Sequence, residues 1–386
     1  MAKYFTHDLI IHIIIFQMGI LLIICSNILI LHRARRHSPP LDYPMVSILI
    51  PARNEEKKIG RCIQSLLAQD YPNFEVIVLD DQSSDSTFAV LEGIFSSQPN
   101  LKVLTGSAPP EGQVGKNWAC VQLAQAAQGD LLFFTDADTI HRPATLRAIV
   151  TALIGEQADL LTGFPRQEMR TWTERLLVPF FTWSLICFTP LWLAYRARLP
   201  ALSNAVGQMM LFRRESYKAI GGHASVGSSI VDDLMLAKGI KAAGLRWRVV
   251  HISDLITCRM YDDSHEAFNG FTKNYFAVFS FHVLPYLFVF IWLAVMFWEP
   301  LIVAILLASG RAQQAQLGEL VSCIGLSLLL WLIPYLEMGV PLGLALCYPF
   351  TILANEAIAF QSLRLSLSGR ITWKGRALAR PKWKWL

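Results

Sequence analysis

Asp136 and Asp138 are the residues of this chain best placed by type and spacing to do chemistry. They end the apolar run Leu131-Leu132-Phe133-Phe134-Thr135. On an extended backbone, acids at i and i+2 point the same way. A hard divalent cation takes oxygen ligands, and Mg²⁺ is commonly held by one or two protein carboxylates together with substrate phosphates. The pair therefore points to a metal-bound diphosphate; the plainer reading is a strand that ends in an acidic turn. Asp232 and Asp233 open a second helical pattern. An alcohol is a poor nucleophile until its proton is removed, and a placed carboxylate can take that proton. One of these two acids also serves as a helix cap, Asp232 being the better suited. Lys116 starts another helix, where it opposes the helix dipole unless an anion is close.

The elements that must position these residues follow from periodicity. Val46 to Ile50 reads as a strand ending at Pro51, and Ile59, Cys62, Ile63, Leu66 and Leu67 recur at helical spacing. Phe74 to Leu79 is a second strand closing on Asp80-Asp81, followed by capping residues Ser83 to Ser86. Leu101 to Leu104 and Leu131 to Thr135 are further strands, Lys116 to Gln128 a helix, and Pro143 the start of another. Strands alternating with helices imply an α/β domain with a mainly parallel sheet. Such sheets bind ligands at the carboxyl ends of their strands. Pro51 to Glu56, Asp80-Asp81 and Asp136-Ala137-Asp138 all fall at such ends, so they should converge on one crevice.

The 386-residue chain is 53% hydrophobic and only 16% charged, too apolar for an ordinary soluble enzyme. Leu9 to Leu31 would form a helix of about 34 Å, enough to cross a hydrocarbon core of about 30 Å. Arg33, Arg35 and Arg36 follow it and mark the cytoplasmic end, so residues 1–35 read as an anchor with the next domain in the cytosol. Phe276 to Ser309, Leu320 to Met338 and Val340 to Phe360 are further apolar runs. The tail from 363 to 386 is basic and reads as cytosolic, which calls for an even number of crossings, two or four, within 275–362. The soluble domain is then 40–274, with an aromatic helix near 172–199 lying in the headgroup plane or buried in the core. Seven cysteines show no metal or disulfide spacing. The net charge of +5 gathers at the membrane flanks and suits anionic lipid rather than nucleic acid.

The order Val46-Ser47-Ile48-Leu49-Ile50-Pro51-Ala52-Arg53-Asn54-Glu55, Asp80-Asp81-Gln82-Ser83-Ser84-Asp85, Asp136-Ala137-Asp138 and Val231-Asp232-Asp233 resembles the family 2 glycosyltransferases, over roughly Val46 to Asn274. The resemblance implies a GT-A-like nucleotide-diphospho-sugar transferase fold and transfer of a hexose with inversion at the anomeric carbon. It puts Pro51, Ala52 and Asp81 on the base and ribose, with Glu55 nearby. Asp136 would lie by the ribose or metal, and Asp138 would ligate Mg²⁺ or Mn²⁺ on the diphosphate. Lys116 would face the diphosphate or nucleobase. Asp233 would be the base, with Asp232 open as its alternative because the family usually shows Glu-Asp.

The Gln-x-x-Arg-Trp of processive members is absent; Asn269 to Asn274 stands in its place, with Lys273 as a phosphate-facing cation. Ser203 to Gln208, Gly221-Gly222-His223 and Trp373 to Arg376 resemble membrane enzymes such as the bacterial carotenoid glycosyltransferases and hopanoid-associated relatives. His223 would line the acceptor site or fill an ordinary core role. The expected donor is UDP-glucose and the acceptor a lipophilic molecule such as a carotenoid, at the inner face of the cell membrane. The alternatives are transfer onto polyprenyl phosphate, a glycerolipid or a hopanoid, or a nucleotide-sensing transporter or scaffold without turnover.

Overall fold

The computed structural model describes residues 2–31, 37–40, 42–95, 98–310, 317–373, 376–377 and 381–386. They form two units, one of residues 31–168 with 193–260, the other of 1–30 with 169–192 and 261–386. Arg33, Arg35 and Arg36, like Lys374 and Arg380 of the basic tail, lie outside the described residues.

The first unit is α/β. Its strands are β1 (Val46–Ala52), β2 (Phe74–Asp80), β3 (Leu101–Thr105), β4 (Leu131–Phe134), β5 (Thr139–His141), β6 (Leu160–Phe164), β7 (Arg166–Gln167), β8 (Met210–Arg213), β9 (Trp247–His251) and β10 (Ile256–Cys258). Seven of them make one sheet in the order β3-β2-β1-β4-β8-β6-β9, and β5-β10-β7 make a small second sheet. Every pairing in the large sheet is parallel except those of β8, which runs against β4 and β6. Strands buried on both faces need continuous apolar runs, and β1 and β2 supply them in Ile48, Leu49, Ile50, Val76, Ile77 and Val78, all fully buried. The helix Ile59–Leu67 lays Ile59, Cys62, Ile63 and Leu66 on this core, the face its periodicity predicts. The expected mainly parallel α/β architecture is present, with strand and helix limits close to those read from the sequence.

The register sets the site. Ala52 pairs with Asp80 on one side of β1, and Leu49 pairs with Phe134 on the other. The carboxyl ends of β1, β2 and β4 thus lie along one edge. Because β8 is antiparallel, with Phe134 opposite Met210, the segment that leads into β8 arrives at that same edge.

The second unit is helical. Among the described residues four helices are long and apolar enough to cross a membrane, Asp8–Ile30, Val283–Ala308, Leu317–Met338 and Leu342–Ser368. Polar groups tie the bundle where the chain has no water to turn to. Gln17 Nε2 donates to Ser327 Oγ at 2.8 Å, and Asn27 clamps the carbonyls of Ile186 and Thr189 and the N–H of Leu191.

Residues 172–192 of the segment expected as an interfacial helix of the soluble domain belong to this unit instead, and 193–199 stay with the α/β unit. The helix Trp172–Phe188 starts on a capping box between Thr171 and Glu174. Its Trp183 stacks on Trp331 at 4.1 Å and 2°, and donates to the Leu330 carbonyl. The α/β unit likewise ends at 260 rather than 274, because the helix Ser264–Val278 packs on Tyr348–Ser368. There Phe276 N donates to Ser362 Oγ and the Tyr275 hydroxyl to Asn355.

Among the described residues three helices apolar and long enough to span follow residue 275, where two or four crossings were expected. Val283–Ala308 remains one helix through Pro300. The third, Tyr348–Ser368, begins partway along the first, with the Tyr348 ring 5.5 Å from Phe297. It then runs back, Tyr286 Oη donating to the Ala359 carbonyl. The last residues rejoin the start of that first helix, Val283 N donating to Lys384 O at 2.8 Å and Lys384 N to Phe281 O at 3.0 Å. The chain enters and leaves this group at one end.

Candidate active site

β4 delivers the acidic pair on a turn rather than on extended strand, since the strand stops at Phe134. The turn is held from beneath. Thr135 Oγ1 donates to the Gln208 carbonyl at 2.9 Å, and Thr139 Oγ1 to the Asp136 carbonyl at 2.7 Å. His141 Nε2 lies 3.2 and 2.9 Å from these two hydroxyls, and burial pushes its imidazole down to about 3, so it is neutral. Ala137 is buried and both flanking acids are partly exposed.

Lys116, in the first turn of the helix Gly115–Ala126, places Nζ 2.7 Å from Asp136 Oδ1. Partial burial works against its charge, but Asp136 and Asp232 outweigh it and hold the ammonium well above its ordinary value. Asp138 has the opposite fate. Burial, then Asp136 and Glu55, push its carboxyl up to about 7, with Lys58 and the Cys258 thiol, 3.4 Å from Oδ1, offsetting only part of this. Carboxylates crowded until one prefers its proton form a site that a hard cation would relieve. Among the described residues no group of three or more His, Cys, Asp or Glu is arranged to chelate an ion alone. That donor set fits a Mg²⁺-type ion sharing its shell with phosphate, with Asp138 the available carboxylate because Asp136 is engaged by Lys116.

The loop after β1 is stitched to the loop after β2. Asp81 N donates to the Ala52 carbonyl, Asn54 takes a left-handed φ of 53° with its side chain accepting from Ser84 N, and Glu55 N donates to Thr87 Oγ1. Asp81 is buried, with Arg53 Nη1 on its carbonyl at 2.7 Å and 3.9 Å from its carboxylate. Pro51, Ala52, Glu55 and Asp81 therefore share one wall, of which Pro51 and Glu55 are the partly exposed members.

The adjacent acids at the start of the helix Asp232–Ala242 diverge. Asp233 Oδ2 accepts from Gly207 N at 3.1 Å and Oδ1 from Leu234 N at 2.7 Å. Burial and Asp232 push its carboxyl up to about 6 against those two donors and Lys116. Asp232 is 7% exposed and lies with Oδ2 3.6 Å from His223 Nε2. Burial alone would raise it, yet Lys116 and His223 bring it down to about 2. Gly207 links the two halves: a Cβ there would stand 3.5 Å from Asp233 Oδ2 and 3.6 Å from Lys116 Nζ.

The structure thus brings Asp233, Lys116, Asp136, Asp138 and Glu55 together at the sheet edge. Lys273 belongs to the helical unit, in the helix Ser264–Val278, and is no part of the α/β framework. His223 is fully buried, so it does not line the crevice. Sequence reasoning missed the backbone N–H of Gly207, the Thr135–Thr139–His141 support, Lys58 and Cys258. Gly207 lay within the quoted stretch Ser203 to Gln208, but no residue type announces a backbone donor.

Comparison with known proteins follows the same line. Over 248 residues the chain is 27% identical to 4,4'-diaponeurosporenoate glycosyltransferase of Staphylococcus aureus (strain MRSA252), which covers 63% of this chain and 64% of that protein, so it spans less than two thirds of this relative's length. Over 112 residues it is 37% identical to beta-monoglucosyldiacylglycerol synthase of Synechocystis sp., 28% of this chain and 23% of that one. Among solved structures, a mannosyltransferase from Pyrobaculum calidifontis in complex with GDP-Man and Mn²⁺ superposes with a TM-score of 0.56 over 94% of this chain and 99% of the other, at 18% identity. The fold is GT-A-like. Residues 47–221, which hold Glu55, Lys116, Asp136 and Asp138 but not Asp232 or Asp233, match the model for glycosyl transferase family 2.

Proposed function

We propose that this protein is an inverting, divalent-metal-dependent glycosyltransferase that moves a hexose, glucose, from UDP-glucose to a lipophilic acceptor at the membrane. The observation that carries the reading is the convergence of Asp233, Lys116, Asp136 and Asp138 on the edge where β1, β2 and β4 end. Pro51, Ala52, Glu55 and Asp81 form the wall for base and ribose, where carboxylates can accept from a uracil N3–H or a ribose hydroxyl. Asp138 would hold Mg²⁺ or Mn²⁺, which when bound neutralises charge building on the leaving diphosphate. Lys116 adds a fixed cation on the same side, and Lys273 is a further candidate for a phosphate.

Asp233 takes the acceptor hydroxyl proton as the acceptor oxygen bonds to the anomeric carbon; the bond from that carbon to the diphosphate oxygen breaks, and the nucleoside diphosphate leaves with the electron pair. A carboxyl near 6 is mostly ionised at neutral pH yet basic enough to accept a proton. The Gly207 and Leu234 N–H groups fix its direction. The apolar helices retain the enzyme where a lipid acceptor dissolves. The basic flank Arg33, Arg35 and Arg36, and a tail that ends beside the start of Val283–Ala308, support a cytosolic α/β unit on the inner membrane.

The named relatives favour two acceptor classes, a carotenoid acid and a diacylglycerol. Polyprenyl phosphate and hopanoid acceptors belong to the same test. Mass spectrometry of lipid extracts from cells with and without the gene, with UDP-glucose turnover by the purified protein, decides among them. Nucleotide binding with no sugar transfer to any lipid fraction would favour a sensing or scaffold role instead.

A further inference from the structure

We propose that His223 is a positioning residue that keeps Asp232 turned into the core, so that Asp233 is the carboxylate of the pair presented to the acceptor. This rests on the function proposed above and deepens it by settling which acid acts. His223 is fully buried against Phe134, with ring centroids 4.6 Å apart. Phe134 is itself the last residue of β4, directly below the acidic turn. Tyr217 Oη accepts the His223 backbone N–H at 3.0 Å and lies 2.9 Å from Nδ1. A phenol has one proton to give, and giving it to Nδ1 leaves the ring proton on Nε2. Nε2 faces Asp232 Oδ2 at 3.6 Å, an ionic range longer than a direct hydrogen bond. Among the described residues neither atom has a hydrogen-bond partner of its own.

Two adjacent acids at a helix start would both turn outward if nothing favoured burying one. Here the inward direction is rewarded by His223 from the core side, and Tyr217 fixes the imidazole so that its proton points correctly. Asp233 is left with backbone donors only, and faces out. Without the imidazole, Asp232 would be a buried carboxylate answered by Lys116 alone. It would compete with Asp136 for that ammonium or rotate toward Asp233, and either movement disturbs the reacting geometry.

The test uses the full-length protein in detergent or lipid, with UDP-glucose and a membrane lipid extract. His223→Phe keeps a ring of similar size without a donor, His223→Gln keeps a donor at similar reach, and each is combined with Asp232→Asn. We expect His223→Phe to lower kcat about tenfold or more, His223→Gln to lose no more than about threefold, and His223→Phe to have little further effect once Asp232 is uncharged, the non-additivity of residues in one network. UDP binding should persist in all four proteins. Equal losses in Phe and Gln, or fully additive losses in the Asp232→Asn background, would overturn the proposal and leave His223 as core packing. Wild-type protein that binds UDP but transfers no sugar would instead refute the underlying function.

Discussion

Lys116 Nζ stands 2.7 Å from Asp136 Oδ1 at the mouth of the crevice, so the first acid of the Asp-Ala-Asp turn already has a cation. The second acid is answered only in part, by Lys58 and the Cys258 thiol, and its carboxyl rises to about 7. One turn therefore carries two carboxylates of unequal basicity. Lys116→Met should free Asp136 to compete for the metal and remove a charge from the diphosphate side. The expected outcome is a donor KM raised about tenfold or more with a smaller change in kcat, the pattern of lost ground-state binding, read by initial rates against UDP-glucose.

Asp138→Ala should abolish turnover while circular dichroism shows an intact fold. Chelation of divalent ions should do the same to the wild type, and Mn²⁺ or Mg²⁺ should restore it. Turnover that survives both treatments would remove the metal from the mechanism.

Asp233 must be ionised to accept a proton, and its raised carboxyl value of about 6 sets where that ends. The rate should be level above that pH and fall about tenfold per unit below it. Asp233→Asn should lower kcat by about 10² to 10⁴ for a hydroxyl acceptor. A carboxylate acceptor needs no base, so a loss of only a few fold would argue for a carotenoid acid.

Glu75 is an acid in the interior of β2, 5% exposed. Its Oε1 accepts from Ser47 Oγ and Gln128 N, each at 2.7 Å, and Oε2 from Lys102 Nζ at 2.7 Å. Burial opposes the charge, but Lys102, Ser47 and Gln128 overcome it and hold the carboxyl below its ordinary value. A depressed folded value means stability present above the unfolded carboxyl pKa, about 4.3, and lost as pH falls through the folded one. Glu75→Ala, which takes the acceptor from the Ser47 hydroxyl and leaves Gln128 N only its longer bond to Ser47 Oγ, should destabilise the α/β unit by about 1–3 kcal/mol. A thermal melt unchanged at pH 7 would contradict this.

What the sequence made legible was local. The strands β1, β2 and β4, the helix Ile59–Leu67 and the three acidic ends follow from periodicity and turn chemistry, which neighbouring residues decide. The residues that act through distant partners were not legible. Asp232 and Asp233 are chemically alike, and partners distant in sequence, the buried His223 and the Gly207 N–H among them, distinguish them. The helix Trp172–Phe188 has an aromatic pattern that suits an interface as well as a core, and Trp331, far along the chain, decides for the core. Glu75 gave no signal because an acid in a strand looks like a solvated face until its partners are known.

β8 runs against its neighbours, and the segment before it, including Gly207 and Gln208, reaches the crevice from the opposite direction to the other loops. In engineering terms it is an exchangeable cassette. A parallel strand cannot be altered near the site without disturbing the helical crossover that follows it, whereas the approach to β8 meets the site through bonds that include Gly207 N on Asp233, Gln208 O on Thr135, Val206 N on Thr162 and Gln167 Nε2 on Gln208 Oε1. Under the function proposed above, exchanging residues 203–208 between relatives, with Gly207 and the core residue Met209 kept, would show whether this approach contributes to acceptor choice.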